Sequence, residues 1–127
     1  MELSEYFEKA KGIGVLATAD GSGKVNAAIY GRPHFFSDDT LAFIAADRLT
    51  HANLQSNPHA VYLFKEEGGY QGRRLYLTKT REEKDSPLID EISRKKYPPA
   101  EGKEKRDSRY LVHFHLDNVL PLIGDGS

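Results

Sequence analysis

Cysteine is absent from the 127 residues. Disulfide frameworks, thiolate zinc sites, iron–sulfur clusters and thiol catalysis are excluded together. An excess of charge of one sign is also missing. Eighteen Lys+Arg stand against 19 Asp+Glu for a formal charge of −1, so no global field draws the chain to nucleic acid or to an anionic membrane. No apolar run approaches the roughly 18 residues that a membrane-spanning helix needs. The N-terminal Met1-Glu2-Leu3-Ser4-Glu5 is acidic where a signal peptide is basic. Two separate cores in a chain of this length would each be too small to stand without metals or disulfides. The expectation is one cytoplasmic domain over residues 1–127.

What is present reads mainly as strands. Residues 3–11 carry Leu3, Tyr6, Phe7 and Ala10 at helical spacing, with Gly12 placed as a C-cap. Ile13 to Ala19 has strand length and runs into the turn Asp20-Gly21-Ser22-Gly23. Lys24 to Phe36 is extended, broken at Gly31 and Pro33, and Ser37-Asp38-Asp39 turns it into Leu41 to Ala46. These three strands read as an antiparallel meander. A short helix over Thr50 to Gln55 stops at Asn57-Pro58, and His59 to Lys65 and Arg74 to Thr80 are the fourth and fifth strands. Ser86-Pro87 is an N-cap followed by Pro at the first helical position, opening a helix to about Lys96. Residues 97–108 read as a charged loop, Tyr110 to Leu116 as the sixth strand, and the tail from Pro121 as irregular. Six strands with short connections predict a small antiparallel barrel, since closure removes exposed edges.

The chemistry-bearing motifs are few. There is no Gly-x-Ser-x-Gly elbow, phosphate loop, His-Glu-x-x-His or dinucleotide fingerprint. Asp38-Asp39 and Glu66-Glu67 fall in predicted turns and read as solvated charge. His113, His115 and Asp117 share one strand face, but no third or fourth metal ligand can be named, and a half-polar strand face needs no metal. The segment after the third strand is more informative. Ala45 and Ala46 are followed by Arg48, Leu49 and Thr50 entering a helix, and a helix N-terminus with a cation favours an anion. On spacing alone, a plain cap with one solvent-facing arginine is the simpler account.

Four segments in register carry a family resemblance: Gly14 to Gly21 behind the N-terminal helix, Val25 to Tyr30, Thr40 to Ala46, and Arg48 to Pro58 with its Asn53-Leu54 and Asn57-Pro58. Over residues 1–80, and loosely over the last strand, the chain resembles the FMN-binding split-barrel family of pyridoxamine 5'-phosphate oxidase-like flavoproteins. The resemblance implies a homodimeric six-stranded split barrel with FMN at the subunit interface and no metal. It implies that Asn26, Ala27, Ala28, Ile29 and Tyr30 run along the flavin ring, that Ala45 and Ala46 leave it room, that Arg48, Leu49 and Thr50 hold the phosphate, and that Asn53 faces the same pocket. Tyr30 and His51 are the candidates for groups at the ring's edge. Elementary chemistry agrees, because a flat ring needs small side chains along a strand and its phosphate needs a helix N-terminus with a cation.

The chain departs from the family pattern in the trio after the third strand, which reads Arg48-Leu49-Thr50 and has no lysine. Arg73 or Arg74 of a second copy could then assist the phosphate. The Arg-x-His motif of pyridoxamine 5'-phosphate oxidases is missing, and tryptophan is absent, so vitamin B6 oxidation is not expected. The expected function is a small FMN-dependent oxidoreductase on an unidentified substrate, with no catalytic residue named. The alternatives are a non-catalytic haem- or flavin-binding module and a deazaflavin-dependent reductase on the same barrel.

Overall fold

The computed structural model describes residues 3–96 and 109–125. The elements are α1 (Leu3–Lys9), β1 (Gly12–Ala19), β2 (Val25–Tyr30), β3 (His34–Phe35), β4 (Thr40–Ala46), α2 (Leu49–Ser56), β5 (His59–Glu66), β6 (Gly72–Lys84), α3 (Pro87–Lys96) and β7 (Arg109–Pro121). All strands join one antiparallel sheet in the order β2-β1-β5-β6-β7-β4-β3. Among the described residues no helix is long and apolar enough to cross a membrane.

Seven strands are present where six were expected, because Lys24 to Phe36 divides into β2 and β3. The expected meander is also corrected. β2 pairs with β1 and β3 pairs with β4, so the two pieces lie at opposite ends of the strand order. Gly31-Arg32-Pro33 carries the chain between them, and Pro33 has no N–H to continue a ladder. The sheet therefore curls until its ends approach, leaving a seam. Across that seam the Tyr30 ring stands edge-on to Phe43 at 6.1 Å, and on the β2 side the Tyr62 hydroxyl of β5 donates to the Gly31 carbonyl at 2.9 Å. Gly14 makes this possible, since a Cβ there would collide with the Tyr62 hydroxyl.

The turn chemistry behaves as its sequence dictates. The Asp20 carboxylate accepts from the Ser22 and Lys24 backbone N–H groups, both at 2.9 Å, and Gly23 takes φ +92°. Gly12 is not a cap. It begins β1 opposite Glu66, where a Cβ would strike the Lys65 carbonyl. β6 and β7 run well beyond Thr80 and Leu116, pairing with each other from Arg73↔Pro121 to Lys84↔Tyr110 through two register shifts. The end of β6, Arg81 to Lys84, carries no apolar signal, and only the cross-strand ladder makes it a strand. The loop expected over residues 97–108 lies outside the described residues.

The barrel interior is aromatic, with Phe7, Tyr62, Phe64, Phe43 and Phe114 almost fully buried. A second, smaller cluster of Ala42, Ile89, Ile92 and Leu111 forms where α3 covers the other face of β4 and β7. β4 is thus enclosed on both sides along part of its length, which explains its nearly continuous apolar run.

Candidate functional site

Period-two alternation decides which side chains meet at the seam. Along β2 the half-buried positions are Asn26, Ala28 and Tyr30, while Val25, Ala27 and Ile29 face outward. Along β4 the odd positions Leu41, Phe43 and Ala45 enter the barrel core, and the even positions Ala42, Ile44 and Ala46 turn the other way. Ala28 and Tyr30 therefore face Ile44 and Ala46 across a cleft of about 460 Å³, closed at one end by Arg48, Leu49 and Thr50.

That end is the start of α2. Arg48 is the N-cap residue, extended at φ −135°, and makes no side-chain cap hydrogen bond. An arginine carries donors only and cannot accept from the first-turn N–H groups. The first turn contains no acidic side chain, and the nearest carboxylate, Asp47 just ahead of the cap, lies 3.5 Å from His51 Nδ1. Thr50, only 4% exposed, links the helix to β2, accepting from Asn26 Nδ2 at 3.5 Å and hydrogen-bonding Tyr30. Burial pushes the Tyr30 phenol above its ordinary pKa, with the Thr50 bond pulling the other way. Tyr30 is accordingly a neutral hydrogen-bonding group at physiological pH, not a base.

Of the twelve residues expected at the site, eight line this cleft: Asn26, Ala28, Ile29, Tyr30, Ala46, Arg48, Leu49 and Thr50. Gly31 and Ile44 join them; Ile44 is missed by sequence reasoning because the pattern there does not say which face of β4 looks outward. Four expected residues lie elsewhere. Ala27 is exposed on the far face of β2, and Ala45 is 2% exposed in the barrel core. Asn53 is buried and donates to Thr18 Oγ1 at 3.1 Å.

His51 is the fourth. Its ring stacks on Tyr110 at 3.7 Å, and its Nε2 meets Glu82 Oε2 at 3.0 Å. Gln55 and Lys79 reach Glu82 Oε1 at 3.0 and 2.9 Å. Burial disfavours the Glu82 carboxylate, but hydrogen bonds from His51, Gln55 and Lys79 together outweigh it and hold its pKa down at about 2. This cluster ties the flank of α2 to β6 and β7, so His51 anchors the helix and does not reach the cleft. Arg73 and Arg74 are engaged as well. Arg73 lies over the Tyr6 ring at 4.3 Å, and Arg74 donates to the carbonyls of Pro121 and Gly124.

No protein-family model matches the sequence, and no curated protein matches it. Solved structures do match. An FMN-binding protein from Syntrophomonas wolfei superposes with TM-score 0.71 at 19% identity, over 94% of this chain and 83% of that one. A protein from Lactobacillus delbrueckii assigned as a pyridoxamine 5'-phosphate oxidase gives TM-score 0.68 at 13% identity, over 94% and 92%. HutZ, the heme-storage protein of Vibrio cholerae, gives 0.65 at 16% identity, over 94% of each chain. One framework thus carries different ligands, and identities this low speak for the fold alone. By its fold, the chain is a split barrel of the pyridoxamine 5'-phosphate oxidase-like kind.

Proposed function

We propose that the protein is an FMN-binding flavoprotein that serves as a small oxidoreductase, with the cofactor in the cleft between β2, β4 and α2. The observation that supports this most is the asymmetry of the cleft. One end is a helix N-terminus whose cap supplies a cation and no acceptor, which suits a phosphate. Beside it Ala46, whose carbonyl accepts from the Arg48 N–H at 2.8 Å, and Ala28 leave a wall low enough for a flat ring to lie against backbone. Bound FMN supplies hydride or electron transfer, so the chain's own residues need only bind and orient it. Thr50 would hold Tyr30 and Asn26 in place along one side. A haem reading needs an axial ligand, and among the described residues lining the cleft the only side chain that resembles one is Tyr30.

The reading includes a homodimer. The outer face of β2, β1 and β5 is apolar, with Val25 80%, Ile29 71% and Ile13 59% exposed. Val15 and Ala17 lie opposite Ile29 and Ala27 on one side and Leu63 and Val61 on the other. A second copy is the occupant that would cover such a face and complete an open cofactor cleft.

Two measurements test the proposal. Titration with FMN should give one saturable site per chain and the visible flavin band, and a Soret band after haem addition with no FMN binding would overturn it. Light scattering should give twice 14.3 kDa, whereas a monomer at micromolar concentration would remove the shared site.

A further inference from the structure

Asp47 is an acidic residue at a place that should repel a phosphate. It stands one residue ahead of the Arg48 cap, and a carboxylate there is drawn to the positive end of α2, where it competes with any anionic ligand. Its side chain is 63% exposed, so burial does not fix its direction. A contact with His51 does: Asp47 Oδ1 lies 3.5 Å from His51 Nδ1, four residues further on.

His51 is in turn held from several sides. Tyr110 of β7 stacks on its ring at 3.7 Å with 14° between the planes, and Glu82 of β6 meets its Nε2 at 3.0 Å. Gln55, one turn along α2, reaches both Nε2 and Glu82, at 3.1 and 3.0 Å. Lys79 completes the cluster through Glu82 at 2.9 Å. With Nε2 turned to β6, Nδ1 faces the neighbour one turn back on the same flank, which is Asp47. Thr50 faces β2 instead, through its 3.5 Å bond with Asn26. Arg48, Leu49 and Thr50 border the cleft, while Asp47 and His51 do not.

We infer that His51 is a positioning residue for the ligand's phosphate: its Nδ1 holds the Asp47 carboxylate on the flank of α2 and so keeps the helix N-terminus open to an anion. His51 touches no part of the cleft and acts through Asp47. It adds no attraction of its own; it keeps a competitor away. The choice of ligand, though not the tether, rests on the FMN reading.

The test is a titration of the purified protein with FMN and with riboflavin, followed by quenching of flavin fluorescence. His51→Phe keeps a ring against Tyr110 and loses both nitrogens. It should weaken FMN about three- to tenfold and leave riboflavin unchanged, since riboflavin has no phosphate for Asp47 to compete with. Adding Asp47→Asn to His51→Phe should restore FMN to the wild-type level. Asp47→Asn alone should change FMN little, because the carboxylate is already held away. A merely structural His51 would weaken both ligands, and Asp47→Asn would not rescue it; either result overturns the proposal. A large gain in FMN affinity from Asp47→Asn alone also overturns it, because the carboxylate would then already be competing. Nitrogen NMR of folded wild type and Asp47→Asn decides even if His51→Phe does not fold: the His51 Nδ1 resonance should move on the substitution, and an unchanged resonance means there is no tether. Absence of FMN binding to wild type would overturn the cofactor reading instead, and the NMR comparison would still show whether the tether exists.

Discussion

The flank of α2 and its N-terminal cap are built in different ways. Along the flank, His51, Asn53 and Gln55 all bond to neighbouring strands, through Glu82 and Thr18. At the end, the cap residue is an arginine that makes no side-chain cap hydrogen bond, and Leu49 is 57% exposed beside it. The contrast is informative because helix termini are normally satisfied by Ser, Thr, Asp or Asn at the cap. Satisfied polar groups hold an element rigidly, and a helix held along its flank can present an open end in a fixed direction. The anchor and the open end are two parts of one arrangement.

The largest effect that would break this contrast comes from filling the cleft. Ala28→Trp should abolish FMN binding while far-ultraviolet circular dichroism stays unchanged, because Ala28 lies at a half-buried strand position bordering the cleft and outside both core clusters. Undiminished FMN uptake by a folded variant would move the ring elsewhere.

Arg48→Ala acts on the open end alone. A charge-assisted contact is worth about 1.5–3 kcal/mol, so FMN should bind about 10- to 150-fold more weakly. Riboflavin, which lacks the phosphate, should bind variant and wild type equally. Equal weakening of both ligands would mean that Arg48 supports the ring or the helix and not a phosphate.

The smallest effect sharpens the flank. Glu82 is depressed from its ordinary 4.5 to about 2 in the folded protein. An acid depressed by folding stabilises above its unfolded pKa, and that contribution is lost as pH falls through the folded value. Thermal stability should therefore decline between pH 4.5 and about 2, and Glu82→Gln should flatten that part of the profile while lowering stability at neutral pH. A variant whose pH profile superimposes on wild type would show that the anchor does not depend on this charge.

Much of the cleft could be read in advance because its parts are local. Arg48, Leu49 and Thr50 stand at the start of a helix that Asn57-Pro58 ends, and Asn26, Ala28 and Tyr30 fall on one face of a strand that follows a recognisable Asp-Gly turn. The expected residues that do not line the cleft lie away from it for a common reason. Ala45 and Ala46 look alike in sequence, yet opposite faces of β4 meet different surroundings, the barrel core on one side and the seam on the other. His51 is adjacent to Thr50 in the chain, but one step around a helix turns it from β2 toward Glu82 on β6. Nothing near position 51 announces a partner 31 residues away.

By itself, the sequence determined the absence of thiol chemistry, the β1–β2 hairpin and a short helix ending at Asn57-Pro58. Each depends on residue types and on neighbours a few positions apart, where turn preferences, strand alternation and capping operate. Tertiary structure alone decided that β2 and β3, separated by three residues, occupy opposite ends of the sheet. It also decided that the even face of β4 borders the cleft. Those outcomes depend on ladders between distant segments and on α3 covering one side of β4. Pairing and packing at such separations follow from the whole arrangement of strands, which no local pattern encodes.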